Sequence, residues 1–82
     1  MNYVVYILYS ERLGRYYVGH TSNITDRLQR HNTGRSTYTS KGMPWSLVKE
    51  FLCADRGQAV RLEKEIKGRG IKRYIEDNNI GM

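Results

Sequence analysis

The first hydrophobic segment covers residues 3–9, where every position is apolar or aromatic and two are valines. Seven such residues are too few for a typical helix and are typical of a strand that is buried on both faces. We therefore expect this strand to be central in its sheet. A polar turn over residues 10–14 contains a glycine and leads into a second apolar segment over residues 15–19. Together the two segments predict a β-hairpin.

A helix, a loop and a third strand are predicted next along the chain. Asn23 is a suitable N-cap for an amphipathic helix over residues 24–32, and Gly34 is expected to end that helix. Residues 35–45 are rich in Ser, Thr, Lys and Gly and predict a loop. Residues 46–53 predict the third strand.

The last third of the chain predicts two further helices. Asp55 and Gln58 form a capping pair for a second amphipathic helix. We expect this helix to be broken by Gly68 and Gly70, and a short third helix to follow over residues 71–76. The resulting order, β-β-α-β-α-α, predicts an α+β fold in which helices flank a small, mainly antiparallel three-stranded sheet.

Length and composition limit the classes of function. The 82 residues correspond to a single domain over residues 1–82. The only cysteine, Cys53, lies in an apolar run and is expected to be a small buried hydrophobe, which excludes an intramolecular disulfide. The apolar start lacks a basic leader and is too short to span a bilayer, so we expect a cytoplasmic protein with no membrane partner.

Basic residues outnumber acidic ones by 14 to 8, which gives a net charge of +6. They are clustered: residues 27–49 contain five basic residues and no acid, and residues 61–73 contain six basic residues and two acids. A basic surface of this kind attracts polyanions whatever their sequence. For charge alone, a solvated surface that keeps the protein soluble is an equal alternative.

The first predicted helix carries two polar residues beside its apolar stripe. At about 100° per residue, Ile24 and Leu28 define the stripe, and Arg27 and His31 lie next to it, within roughly 60° of Ile24. Each has a structural explanation alone, because an arginine can extend its charge to solvent and a histidine can compensate the helix dipole. The pair stabilises nothing by facing each other, whereas an anion between the two side chains would explain the arrangement.

The second predicted helix carries a glutamate on its apolar stripe. Glu63 lies among Ala59, Leu62 and Ile66, roughly 40° from Ala59 on the helical wheel. An ion pair with Lys67, four residues further along, or with Lys64 is the structural alternative. Burying such a carboxylate without a partner would cost several kcal/mol, so we expect it to be paired or to line a cleft.

Tyrosines are frequent, with seven among the 82 residues. From the pattern alone, aromatic packing on the strands is the favoured explanation. Whether Tyr6 and Tyr17 share a face of the hairpin stays open, because the turn between the strands does not determine the register.

These residues, in this order, resemble the GIY-YIG nuclease superfamily. The two tyrosine tripeptides of that family stand here as Val4-Val5-Tyr6 and Tyr17-Val18-Gly19, with Val4 in place of the family glycine. Residues 17–32 are similar to the family core, and residues 59–67 (AVRLEKEIK) resemble the segment with its metal-binding glutamate. The resemblance covers residues 3–74 and is greatest to small stand-alone members related to the nuclease module of the excinuclease C subunit.

The resemblance implies a metal-dependent endonuclease that hydrolyses nucleic-acid phosphodiester bonds, with DNA as the expected substrate. Glu63 would hold one Mg²⁺ (or Mn²⁺) as its single protein ligand. Tyr6 would be the general base and Tyr17 would orient water or phosphate. Arg27 would contact the scissile phosphate, and His31 would assist proton transfer or hydrogen-bond a tyrosine.

Basic residues outside this set are expected to bind the phosphate backbone without reading sequence. The candidates are Arg35, Lys41, Lys67, Arg69 and Lys72. Two other functions stay open: a nucleic-acid-binding module without turnover, and a nuclease subunit that depends on a protein partner to select its substrate.

Overall fold

The computed structural model describes residues 2–33, 40–78 and 80. Its elements are β1 (Tyr3–Ser10), β2 (Arg15–Thr21), α1 (Ile24–Asn32), a short 3-10 helix (Ser40–Gly42), β3 (Trp45–Cys53), α2 (Arg56–Arg69) and α3 (Ile71–Asp77). This order confirms the predicted α+β fold. The predicted helix end at Gly34 lies outside the described residues, as do residues 35–39 of the predicted loop.

The sheet has three antiparallel strands in the order β2-β1-β3. The central position of β1 agrees with its uninterrupted apolar sequence, because both faces of a central strand are covered. Its four middle side chains are at most 1% exposed: Val5, Tyr6, Ile7 and Leu8. The β1–β2 turn is closed by a 2.8 Å hydrogen bond from the Gly14 amide to the Ser10 carbonyl, with Gly14 at a φ of +64°.

The register of the hairpin places the two tyrosines on one face of the sheet. Tyr6 lies opposite Gly19, and Leu8 lies opposite Tyr17. Because side chains alternate between faces along a strand, Tyr6 and Tyr17 are diagonal neighbours on the same face. The structure therefore answers the question that the turn sequence left open.

Each face of the sheet packs against different helices. On one face, Val5, Ile7 and Val18 form a core with residues of α2 and α3, including Ala59 and Ile66. On the other face, Tyr6, Leu8 and Trp45 form a second cluster against residues of α1. The sheet thus separates α1 from α2 and α3, and any contact between those two layers must occur at an edge of the sheet.

Both predicted N-caps are present. The Asn23 side chain accepts a 3.0 Å hydrogen bond from the Asp26 amide, and the Asp55 side chain accepts a 2.8 Å bond from the Gln58 amide. The Gln58 side chain in turn accepts from the amide of Ala54, one residue before the cap. These bonds satisfy amides that have no partner within the helix.

The prediction that Gly68 breaks the second helix is wrong. Helix α2 continues through Gly68 to Arg69 and ends at Gly70, whose φ is +93° and whose amide donates to the carbonyls of Ile66 and Lys67. A glycine within a helix costs only about 1 kcal/mol relative to alanine. Only the second glycine occupies a left-handed conformation, which is where glycine is required.

The C-terminal end of α1 is fastened to the start of β3 by one side chain. The Asn32 side-chain amide donates to the Trp45 carbonyl at 3.0 Å, and its oxygen accepts from the Trp45 amide at 2.5 Å. Because α1 carries two of the predicted catalytic residues, this pair of bonds helps to position them over the sheet. Cys53 is buried, as predicted, and among the described helices none is long and apolar enough to cross a bilayer.

Candidate active site

Tyr6 and His31 form a buried hydrogen-bonded pair. The Tyr6 hydroxyl lies 3.1 Å from His31 Nε2, although the residues are 25 positions apart in the chain. Tyr6 is 1% exposed and His31 is 2% exposed. The polar edge of α1 therefore faces the sheet, and the partner of its histidine is a tyrosine.

Gly19 makes the position of the Tyr6 hydroxyl possible. A Cβ atom added at Gly19 would lie 2.6 Å from the Tyr6 hydroxyl oxygen and 2.8 Å from Cζ. Both distances are shorter than side-chain atoms tolerate, so the Tyr6 phenol occupies the space that a side chain at Gly19 would fill. The glycine of the second tripeptide is thus required by a close approach of the tyrosine ring.

Tyr17 completes an aromatic cluster around the pair. Its ring centroid lies 6.3 Å from that of Tyr6, 5.1 Å from that of His31 and 6.2 Å from that of Trp45. Tilted and edge-on contacts at these distances are favourable between aromatic rings. The two tyrosines and the histidine are therefore held in one cluster on the α1 face of the sheet.

Arg27 belongs to the same cluster through its effect on Tyr6. Burial and the neighbouring Tyr17 raise the pKa of the Tyr6 phenol to about 12, while the Arg27 guanidinium opposes this through its hydrogen bond and its charge. Burial, followed by the charge of Arg27, lowers the pKa of His31. At neutral pH both Tyr6 and His31 are therefore uncharged, and the phenol can donate its proton to Nε2.

Glu63 approaches this cluster from the opposite face of the sheet. Its Oε1 lies 2.7 Å from His20 Nδ1, and its Oε2 accepts a 2.8 Å hydrogen bond from Lys67 Nζ. His20 follows Gly19 on β2 and, by alternation along the strand, points to the α2 face. The charge of Glu63 also contributes to the raised pKa of Tyr6, so the carboxylate is within electrostatic range of the phenol.

The ionisation of Glu63 depends on its two partners. Burial alone would raise the pKa of this carboxyl, but the hydrogen bonds and charges of Lys67 and His20 outweigh it and lower the pKa below the usual value. Glu63 is therefore an anion at neutral pH, with 17% of its side chain exposed. The ion pair between Glu63 and Lys67, which was the structural alternative predicted from the sequence, is present. It does not prevent the charge of Glu63 from acting on Tyr6.

The donor set of this site suits a cation that needs few protein ligands. Within the described part of the chain there is no group of three or more His, Cys, Asp and Glu side chains placed to hold a metal. Mg²⁺ retains most of its waters and is often bound through one or two carboxylates plus substrate phosphate. Glu63 is anionic and partly exposed, and its partner Lys67 is more than half exposed, so the chemistry of this carboxylate fits Mg²⁺ or Mn²⁺.

The structure places the predicted phosphate-binding residues in different surroundings. Lys67 contacts Glu63 and also lines a groove of about 320 Å³ along β2 with Tyr16, Tyr17, Val18 and Ile71. Lys41 is exposed on the short 3-10 helix and lines another groove of about 320 Å³, near Leu13 at the turn of the hairpin. Arg35 lies outside the described residues.

The other two basic candidates lie at the junction between α2 and α3. Arg69 and Lys72 line an open pocket there together with Arg73. Arg69 is bound to Asp77, with Nε–Oδ2 and Nη2–Oδ2 distances of 2.6 Å. Lys72 is exposed.

Sequence reasoning missed His20. A histidine directly after the second tripeptide carries no periodic signal, and its partner Glu63 is 43 residues away in the chain. The position of His20 on a strand facing the helix with the glutamate could have suggested the contact. The register needed for that inference became available only with the fold.

Comparisons with known proteins find a matching family model and a similar solved structure. A family model described as the GIY-YIG catalytic domain matches residues 2–74. Among solved structures, the solution NMR structure of a UPF0213 protein from Bacillus halodurans is similar, with 30% identity and a TM-score of 0.62. The match covers 99% of this chain and 88% of that one. No curated protein matches the chain.

Proposed function

The chain belongs to the GIY-YIG nuclease family, and from this premise we propose that it is a metal-dependent endonuclease that hydrolyses phosphodiester bonds in DNA. The observation that carries the proposal is the buried hydrogen-bonded pair of Tyr6 and His31, with the Arg27 guanidinium at the Tyr6 hydroxyl and the anionic Glu63 within electrostatic range of it. A phosphate ester placed at the edge of β2 would have a proton acceptor, a cation and a metal ligand around it.

Proton transfer is assigned to Tyr6 and His31 acting together. A phenol with a pKa of about 12 is almost entirely protonated at pH 7, so free phenolate would be present at roughly one part in 10⁵. Tyr6 can instead give its proton to His31 Nε2 while it accepts a proton from the attacking water. Free phenolate is then not required. The water oxygen then bonds to phosphorus while the bond from phosphorus to the leaving sugar oxygen breaks, and a proton from solvent completes the alcohol.

Arg27 supplies the fixed positive charge of the site. Its guanidinium already interacts with the Tyr6 hydroxyl, and a planar set of N–H donors matches the oxygens of a phosphate. Bound phosphate would therefore be held next to the proton acceptor. The same charge stabilises negative charge as it increases on the phosphate during the reaction.

Glu63 is the proposed metal ligand and His20 is the residue that positions it. A divalent cation bound there would neutralise charge on the phosphate and the leaving oxygen. His20 follows Gly19 on β2, and its Nδ1 lies 2.7 Å from Glu63 Oε1. This contact would orient the carboxylate towards the strand edge. We expect His20 to act through Glu63 and to have no contact with substrate.

A binding module without turnover is the main alternative. An anion beside a phosphate-binding site opposes binding unless a cation lies between them. A module that only binds nucleic acid would gain nothing from an anionic Glu63 within electrostatic range of Tyr6. The arrangement therefore favours an enzyme, either alone or with a protein partner that selects the substrate.

Cleavage of labelled DNA in Mg²⁺ or Mn²⁺, with EDTA as the blank, tests the proposal. Linear and branched DNA should be compared with RNA. Metal-dependent cutting should be lost in Glu63→Ala and retained in Glu65→Ala, an exposed glutamate on the same helix. Salt-sensitive DNA binding without cutting under all conditions would favour the binding module, and cutting by Glu63→Ala at the wild-type rate would remove the assigned metal ligand.

A further inference from the structure

We propose that Lys67 is a built-in counter-cation of Glu63, which a divalent metal must displace, so that this lysine lowers metal affinity until substrate phosphate draws it away. The proposal rests on the proposed function, because it assumes that Glu63 is the metal ligand. It adds a role for Lys67 that differs from simple attachment of the DNA backbone.

The two oxygens of Glu63 have partners that differ in freedom of movement. Oε1 is held by His20, whose side chain is 26% exposed and is carried by a strand. Oε2 is held by Lys67, whose side chain is 57% exposed at the end of a flexible four-carbon stem. A cation that binds this carboxylate would therefore displace Lys67 more readily than His20.

Electrostatics makes the lysine and the metal competitors. The Lys67 ammonium lies 2.8 Å from Oε2, so a metal that bound this oxygen would compete with the ammonium for it. A metal there must replace one favourable contact and also approach a like charge. Removing the lysine removes both penalties, so we expect divalent-cation affinity to rise by about 5- to 10-fold.

A groove beside the site offers Lys67 a second position. The groove runs along β2, has a volume of about 320 Å³ and is lined by Lys67, Tyr16, Tyr17, Val18 and Ile71. Rotation of the lysine stem would direct Nζ from Glu63 into this groove. A substrate phosphate in the groove would favour that rotation, because an ammonium binds phosphate oxygens well.

Metal and substrate should consequently assist each other. If phosphate withdraws Lys67 from Glu63, metal affinity increases, and by linkage the bound metal increases phosphate affinity by the same factor. Replacing Lys67 should weaken this mutual effect. The lysine would then reduce binding of metal in the absence of DNA and complete the site when DNA arrives.

Calorimetric titration with Mn²⁺, in the absence of DNA, tests the proposal. The variants are Lys67→Met and its control Lys64→Met, which removes the same charge from an exposed position on the same helix. We expect Lys67→Met to bind Mn²⁺ about 5- to 10-fold more tightly than wild type, and Lys64→Met to differ by less than twofold. Circular dichroism should show the wild-type fold in both variants.

A second titration separates the proposal from the function on which it rests. Addition of a cleavage-resistant phosphorothioate dinucleotide should tighten Mn²⁺ binding to wild type and have a smaller effect on Lys67→Met. Equal Mn²⁺ affinities for wild type and Lys67→Met, with binding lost in Glu63→Gln, would overturn the counter-cation role and leave the metal ligand in place. Unchanged binding in Glu63→Gln would overturn both.

Discussion

Replacement of Gly19 with alanine should separate the Tyr6 hydroxyl from His31. The new methyl group would lie 2.6 Å from the hydroxyl oxygen, whereas ordinary contacts of a Cβ atom begin at 3.4 Å. The Tyr6 ring must therefore move by about 0.8 Å or the strands must separate. Tyr6 is 1% exposed and has little space to move, and its hydrogen bond to His31 is already 3.1 Å long.

The expected cost follows from two effects. Overpacking of a core costs about 1–3 kcal/mol, and a weakened buried hydrogen bond adds about 0.5–1.5 kcal/mol. A loss of roughly 2–4 kcal/mol is large for a domain of this size. Each kcal/mol corresponds to a decrease of about 4–8 °C in Tm. Cleavage should fall by about 100-fold, because a displacement near 1 Å at reacting groups has an effect of that size.

Gly68 provides a matched control for this experiment. It lies within α2, and a Cβ there would meet no atom within 4 Å. Gly68→Ala should therefore stabilise the protein by about 0.5–1 kcal/mol, since alanine favours a helix. A glycine-to-alanine substitution should therefore lower the free energy of unfolding at position 19 and raise it at position 68. Urea unfolding followed by circular dichroism measures both changes.

Wild-type stability and wild-type cleavage in Gly19→Ala would contradict this prediction. That result would mean that the Tyr6 phenol does not occupy the space beside the Gly19 backbone. Destabilisation with unchanged cleavage would have a narrower meaning. It would confirm the close packing but show that the Tyr6–His31 distance does not limit the reaction.

Three further outcomes are expected. Tyr6→Phe keeps the ring but removes the hydroxyl, so cleavage should fall by about 100-fold or more. The free energy of unfolding should decrease by about 1 kcal/mol. Cleavage within twofold of wild type would contradict the proton-transfer role. Burial lowers the pKa of His31 below 6.5, so its neutral, proton-accepting form persists below that pH. In a pH profile of kcat/KM, the fall in activity on the acid side should therefore lie below pH 6.5. A fall that begins above pH 6.5 would contradict this. Asn32→Ala removes both hydrogen bonds to Trp45 and should lower the free energy of unfolding by about 1–3 kcal/mol, while a loss below about 0.5 kcal/mol would show that α1 is positioned by other contacts.

Local patterns were sufficient to predict the elements and their order. The uninterrupted apolar run of β1 indicated a central strand, and its four middle residues are buried. Asn23 and Asp55 were recognised as N-caps because a cap acts within three or four residues of itself. Gly68 was predicted wrongly because a glycine in sequence does not reveal whether its backbone adopts a positive φ, as Gly70 does.

The candidate site was partly visible from helical periodicity. The positions of Arg27, His31 and Glu63 on the inward edges of their helices showed that these polar groups needed partners. The identity of the partners was not visible. Tyr6 and His31 are 25 residues apart, and His20 and Glu63 are 43 residues apart, so only strand register and helix docking bring them together.

From the sequence alone, local patterns predicted the order of the main strands and helices, placed Arg27, His31 and Glu63 at the inward edges of their helices, and indicated which family the chain resembles. The fold was needed to show that Tyr6 and Tyr17 share a face, that Gly19 leaves space for the Tyr6 phenol, and that His20 contacts Glu63. The fold also determined the direction in which the pKa of Tyr6 shifts, since the effect of burial, which raises it, outweighs the effect of Arg27, which lowers it. The physical reason is range: caps and periodicity act over a few residues, whereas burial, register and charge pairing depend on segments that meet only in the folded chain.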